Sequence, residues 1–148
     1  LVPVLYGPPY GIDLDEVAER AGMSPAEVID AHAGASYRVY MLGFLPGFAY
    51  LGGLPAVLAT PRRSSPRPVA PAGVIAIGGA QTAVGSIAGP CGWNIIGRTP
   101  MRAFMPQRDP VTLLAAGDEV RFEAIDMQRF ARLDAEAGRG AWVAECAA

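Results

Sequence analysis

The chain has 148 residues, 51% of them hydrophobic and 18% charged, with a formal net charge of −2. These are the proportions of one folded domain that buries roughly two-thirds of the surface its unfolded chain exposes, not those of a disordered segment. The slight negative charge argues against a nucleic-acid footprint. Gly, Pro or Arg interrupts every apolar run before the roughly 18 residues that a bilayer span needs.

All 12 basic residues are arginine. Without lysine the chain cannot offer a Walker phosphate loop, a Schiff base or a lysine-linked biotin, so any ATP or biotin chemistry belongs to another chain. Two cysteines, Cys91 and Cys146, and the single His32 are too few for a zinc site or a disulfide framework. No cofactor and no metal is therefore expected on this chain. No secretory signal pattern opens it, and a cytoplasmic location is the expectation.

In chain order, residues 12–34 read as two short helices. Asp13 with Glu16 forms a capping-box pattern, Leu14, Val17, Ala18 and Ala21 supply an apolar face, and Gly22 is placed to stop the first helix. Ser24-Pro25-Ala26-Glu27 repeats the start signal, with Gly34 as the stop. The pair has the outline of a DNA-binding helix-turn-helix, but its second helix carries Glu27 and Asp30 and no arginine between Ser24 and Gly34. Phosphates would repel it. A packed hairpin is expected instead.

From Ser36 the pattern changes to a period of two, with Tyr37, Val39 and Met41 alternating with Arg38, Tyr40 and Leu42. Further strands are predicted at about 57–59, 74–78, 82–86, 93–97 and 119–125 from the same alternation and turn signals. Asp126 is placed to cap a closing helix that runs to about Ala137, with Phe130 and Leu133 inward. Many short strands with Gly and Pro corners predict a mainly β fold, a closed barrel or a sandwich.

The segment between Gly43 and Pro100 carries the candidate chemistry. Large apolar residues alternate there with glycine and proline, as in ordered loops that build a site rather than in a linker. Arg62, Arg63 and Arg67 lie in a loop stiffened by Pro61, Pro66 and Pro68, which suits bidentate recognition of a carboxylate or phosphate; the bland alternative is an exposed charged loop. Arg98, between Gly97 and Thr99-Pro100, is a similar candidate, or a bond to turn carbonyls. Gln81 and Thr82 follow Gly78-Gly79-Ala80 and offer neutral donors and acceptors for an amide, unless the run is simply a tight hairpin. Tyr50, with Phe44, Phe48 and Trp93, forms either an apolar wall or core. His32 is a general base, a substrate ligand, or a capped residue at a helix end. Cys91 lacks an assured basic partner and is a poor nucleophile candidate. No catalytic residue can be assigned.

Together, His32…Tyr37-x-Val39, Gly43-Phe44-x-Pro46-Gly47-Phe48-x-Tyr50-Leu51…Leu54-Pro55, Pro61-Arg62-Arg63, Pro66-Arg67, Pro71-Ala72-Gly73-x-Ile75-Ala76-Ile77-x-Gly79-x-Gln81-Thr82 and Trp93-x-x-Ile96-Gly97-Arg98-Thr99-Pro100 resemble one family. It is the family of B-type 5-oxoprolinase subunits, also called allophanate hydrolase subunit 1 or KipI-like, and the resemblance covers roughly residues 4 to 125.

The resemblance implies a cyclophilin-like closed β-barrel with an N-terminal helical hairpin and a short C-terminal helix. Residues 1–35 would form the hairpin leading into a barrel of residues 36–148, in one compact domain overall. It implies a component of a heteromeric ATP-dependent amidohydrolase, opening 5-oxo-L-proline to L-glutamate or acting on allophanate. The partners would be a second carboxyltransferase-like subunit (KipA, or the C-type 5-oxoprolinase subunit), which shares a composite site, and a further subunit, with ATP used elsewhere in the complex. A regulatory module that inhibits a sensor histidine kinase is the alternative that the KipI-like name implies. The fold analogy alone would also allow a prolyl isomerase.

Members of the family usually carry a further small domain ahead of the helices, so the chain is expected to be a C-terminal portion. Two positions depart from the family pattern. Cys91 stands in Pro90-Cys91-Gly92-Trp93 where glycine is usual, and Met105 in Phe104-Met105-Pro106 where aspartate is usual.

Overall fold

Tyr37 and Val39 are buried while Arg38 and Tyr40 are exposed along strand β2 (Tyr37–Leu42), the two-residue period that turns one face of a sheet inward. In the computed structural model, which describes residues 1–146, β2 is one of eight strands hydrogen-bonded into a single sheet. The others are β1 (Val2–Tyr6), β3 (Ala49–Gly52), β5 (Val74–Gly78), β6 (Gln81–Val84), β8 (Asn94–Arg98), β9 (Glu119–Val120) and β10 (Phe122–Ala124). They bond in the order β10-β1-β8-β5-β6-β3-β2-β9.

The two outermost strands, β9 and β10, are separated in the chain by Arg121 alone. β9 pairs antiparallel with β2, and β10 pairs parallel with β1. One run of chain, residues 119–124, thus draws the two edges of the sheet together into a nearly closed eight-stranded barrel. That arrangement leaves little free edge for another chain to pair with.

Register decides which side chains meet. Ile75 and Ile77, Thr82 and Val84, and Ala49 and Leu51 are cross-strand partners on one face. With Tyr37, Val39, Val120 and Phe122 they fill the barrel. Helices α1 (Leu14–Ala21) and α2 (Pro25–Gly34) add Leu14, Val17, Ala18 and Val28 to that core. On the opposite face, Val74, Ala76, Ala83, Trp93 and Ile95 form a second apolar cluster. It is covered by a two-stranded ribbon of β4 (Arg67–Ala70) and β7 (Gly89–Cys91), which contributes Ala70 and Cys91. Burial on both faces explains why every residue of β5 is enclosed.

Beyond the unpredicted strands β3, β4 and β7, the structure departs from the sequence reading at four places. Residues 2–6, grouped above with the helical hairpin, form β1, a strand of the barrel between β8 and β10. Residues 57–59 are not a strand, because Ala56–Leu58 makes a short 3-10 turn that drives Leu58 into the core. The strand expected over 119–125 is interrupted at Arg121. At α1 the expected capping box does not form, because the Asp13 side chain makes no cap hydrogen bond.

Other local signals act as written. Ser24 and Glu27 make a reciprocal capping box at α2. Gly22 ends α1 with φ of 69°, the left-handed region that glycine adopts without a steric penalty. At α3 (Met127–Gly138), the Asp126 carboxylate accepts the Arg129 N–H at 2.7 Å. Phe130 from that helix packs with Leu5 and Ile125. No described helix is long and apolar enough to cross a membrane.

Candidate functional site

On the outer face of the barrel, beside the ribbon, four rings stand in file. Phe44 meets Phe48 at 5.7 Å between centroids, Phe48 meets Tyr50 at 5.1 Å, and Tyr50 meets Trp93 at 5.7 Å. The Arg62 guanidinium continues the row, 5.5 Å above the Trp93 ring. Tyr50 belongs to this face because it is the register partner of Ala83 and points opposite to Leu51. Trp93 lies flat against Gly78, where any side chain would run into the indole.

These rings, together with Arg63, Pro66, Pro90, Cys91 and Gly92, line a cleft of about 250 Å³. It has an apolar floor and a cationic wall, a combination that orients a small ligand through a few polar groups. Phe44, at its lip, is exposed and holds φ at 70°. That conformation costs a residue other than glycine about 1–2 kcal/mol, so the surrounding loop pins it there.

The wall is organised by Asp13. This carboxylate is buried, with its side chain 4% exposed. It accepts from Arg67 Nη1 at 2.6 Å and Nη2 at 2.7 Å, from Arg63 Nη1 at 3.2 Å, and from the Ile95 amide at 2.8 Å. Strand β1 ends at Tyr6, and beyond that point Asp13 serves both backbone groups of Ile95, its own amide donating to the Ile95 carbonyl at 2.9 Å. Burial disfavours the carboxylate charge, but the Arg67 bonds, the Ile95 amide and the two guanidinium charges prevail and hold Asp13 below the usual carboxylate range. Bonding to Asp13 likewise raises Arg67. The arginine loop is further tied to the barrel by the Arg63 amide, which donates to the Gly92 carbonyl at 2.8 Å.

His32 and Thr82, named as site candidates from sequence, stand apart from the cleft in the sealed interior of the barrel. Thr82 has one proton and donates it to the Ala76 carbonyl at 3.0 Å. His32 Nε2 therefore donates to Thr82 Oγ1 at 3.0 Å, and its Nδ1 accepts from the Tyr6 hydroxyl at 2.7 Å. Phe122 stacks on the imidazole at 4.7 Å. Burial without an opposing charge pushes His32 down to about 3, so the ring is neutral, not the partly charged helix end that its position suggests. Burial also raises Tyr6 well above its usual value.

The remaining candidates separate as well. Gln81 closes the tight β5–β6 hairpin opposite Gly78, with Gly79 at φ of 60°, and is not among the cleft-lining residues. Arg98 donates Nε to the Ala72 carbonyl at 2.8 Å and lies 4.7 Å over the Tyr10 ring, beside α3. A register shift in β8 near Ile96 sets Arg98 opposite Val74 and Leu5, away from the ribbon. Of the eight candidates, Tyr50, Arg62 and Arg63 line the cleft, and Arg67 buttresses it through Asp13. Burial pushes the Cys91 thiol up and away from reactivity, outweighing the opposing effects of the Trp93 backbone and Arg67. Among the described residues, no three His, Cys, Asp or Glu side chains converge as a metal site requires. Sequence reasoning missed Asp13, whose helix-start position offered a simpler local role.

Residues 1–114 match the family described as carboxyltransferase domain, subdomains C and D. The chain belongs to this family. Within it, a Bacillus subtilis (strain 168) protein, named as the B-type subunit of 5-oxoprolinase, is 54% identical over 124 residues, 84% of this chain and 52% of the relative. The chain thus spans about half the length of the curated relatives it matches. A conserved uncharacterized protein of Pyrococcus horikoshii superposes with a TM-score of 0.84 at 48% identity, over 87% of this chain and 60% of that one. The Kluyveromyces lactis urea carboxylase superposes with a TM-score of 0.79 at 18% identity, over 94% of this chain and 15% of that enzyme, a likeness of fold.

Proposed function

We propose that this carboxyltransferase-family chain is a non-autonomous component of an ATP-dependent amidohydrolase that opens 5-oxo-L-proline to L-glutamate. What carries the reading is the 54% identity to a protein named as a 5-oxoprolinase component. The cleft supports it chemically. The substrate is a small lactam bearing one carboxylate, and the cleft offers about 250 Å³ with two arginines beside aromatic rings. The guanidinium groups hold the carboxylate, while Tyr50 and Trp93 receive the ring.

The cleft is open on one side, and a second carboxyltransferase-like subunit, the C-type component of 5-oxoprolinase, completes the pocket in this reading. ATP is handled by a further subunit, since this chain has no lysine for a phosphate loop. The contribution of this chain is to bind and orient. Fixing a lactam against an activating partner removes the entropy of encounter from the chemical step.

The test is reconstitution of the three-component complex, followed by ATP-dependent loss of 5-oxoproline measured as glutamate formed. Allophanate and urea are run as parallel substrates. Glutamate formation that requires this chain is the expected result. Consumption of allophanate or urea with 5-oxoproline untouched overturns the substrate assignment.

A further inference from the structure

We infer that Asp13 is the positioning residue of the cleft: it fixes Arg63 as the donor to a ligand carboxylate and withdraws Arg67 from that task. The inference rests on the 5-oxoproline reading for the identity of the ligand.

Four donors fill the two oxygens of Asp13, two on each: Arg63 Nη1 and Arg67 Nη2 on Oδ1, Arg67 Nη1 and the Ile95 amide on Oδ2. That is about as many as an ionised carboxylate accepts, so Asp13 has no capacity left for a ligand. Its side chain is 4% exposed, so it stays charged only because these donors compensate its burial.

The two arginines are used unequally. Arg67 gives both Nη atoms to the carboxylate in a bidentate pair. Arg63 enters with Nη1 alone, and among the described residues its Nε is closed off from solvent and has no hydrogen-bond partner. Two guanidinium charges against one buried carboxylate leave a unit of positive charge, and exposed Glu16, 3.9 Å from Arg63, screens it weakly. Arg67 thus spends both Nη atoms on Asp13, whereas Arg63 Nη2 has no hydrogen-bond partner among the described residues, and Arg63 lines the cleft while Arg67 does not. A free arginine would have to surrender its rotamer freedom on binding. One held by Asp13 and by its own amide bond to Gly92 has already done so.

The decisive experiment uses Asp13→Asn in the reconstituted complex with 5-oxoproline as substrate. KM rises at least about tenfold with kcat within about twofold, the signature of lost binding without lost chemistry. In an Arg63→Met background the same substitution adds less than about twofold, because Asp13 acts through Arg63. Multiplying effects, or a fall in kcat at unchanged KM, would overturn the inference.

If Asp13→Asn does not fold, Asp13→Asn/Arg67→Gln removes both charges of the bidentate pair together and takes its place. A separate readout does not need turnover. In the ¹⁵N spectrum of the chain titrated with sodium acetate, the Arg63 Nε–H resonance shifts in the wild type and not in Asp13→Asn. No shift in the wild type sinks the inference even where the complex opens 5-oxoproline. A clear shift with no 5-oxoproline turnover sinks the substrate reading and leaves Asp13 in its role.

Discussion

Lowering the pH from about 7 to about 5 should destabilise this chain through one residue. His32 is its sole histidine, fully buried and pushed from the usual 6.5 down to about 3 by burial. Its hydrogen bonds and ring contacts run to Tyr6, Thr82, Tyr37 and Phe122, none of which can balance an imidazolium charge. The unfolded chain takes up a proton below its ordinary pKa, whereas the folded chain refuses it until far lower. Stability is therefore complete above the unfolded value and declines as pH falls toward the folded one. Integrated from about pH 7 to about pH 5, the loss is about 2 kcal/mol. At roughly 2–4 °C per kcal/mol for a chain of this size, that is a drop of about 4–8 °C in Tm. Asp13 and Glu27 lie below the usual carboxylate range, so their own losses come later, as pH falls below about 4. Urea unfolding at about pH 7, 6 and 5 measures the slope, and His32→Gln, which cannot titrate, should flatten it. A wild-type loss under about 0.5 kcal/mol, or the same slope in His32→Gln, refutes the buried neutral imidazole.

Two further substitutions test the packing around the barrel. Thr82→Val keeps the shape but leaves the His32 Nε2–H and the Ala76 carbonyl without their partner, at a cost of about 1–3 kcal/mol in urea unfolding. A cost near zero would mean that another acceptor serves the imidazole. Gly78→Ala drives a methyl group into the Trp93 indole, which should cost about 1–3 kcal/mol and change the tryptophan emission spectrum. An unaltered spectrum at unaltered stability would mean that the cleft floor is not rigid.

Local signals in the sequence reached as far as local physics does. Ser24, Pro25 and Glu27 mark the start of α2 because capping is settled within four residues, and Tyr37 and Val39 mark β2 because burial there alternates. β1 was not legible: Val2–Tyr6 is buried on both sides, so it shows no alternation, and its partners lie around residues 97 and 122. Residues 57–59 had strand-like side chains but turn instead, carrying Leu58 into the core. Asp13 is the sharpest case. Its neighbours offered it a capping role, yet the charges that claim it stand 50 and 54 positions away. For the same reason the arginines at 62, 63 and 98 looked alike, and only the register of β8 sent Arg98 to Tyr10 and α3.

The most direct measurement is glutamate production from 5-oxoproline and ATP by the reconstituted complex carrying Arg63→Ala. The barrel of that variant should keep its circular dichroism spectrum, since Arg63 is partly exposed and outside all three apolar clusters. If the cleft holds the substrate carboxylate, kcat/KM falls at least about a hundredfold, the scale of one charge-assisted bidentate contact of about 3 kcal/mol. Wild-type turnover from the folded variant would contradict the assignment of this cleft as the place where the substrate binds.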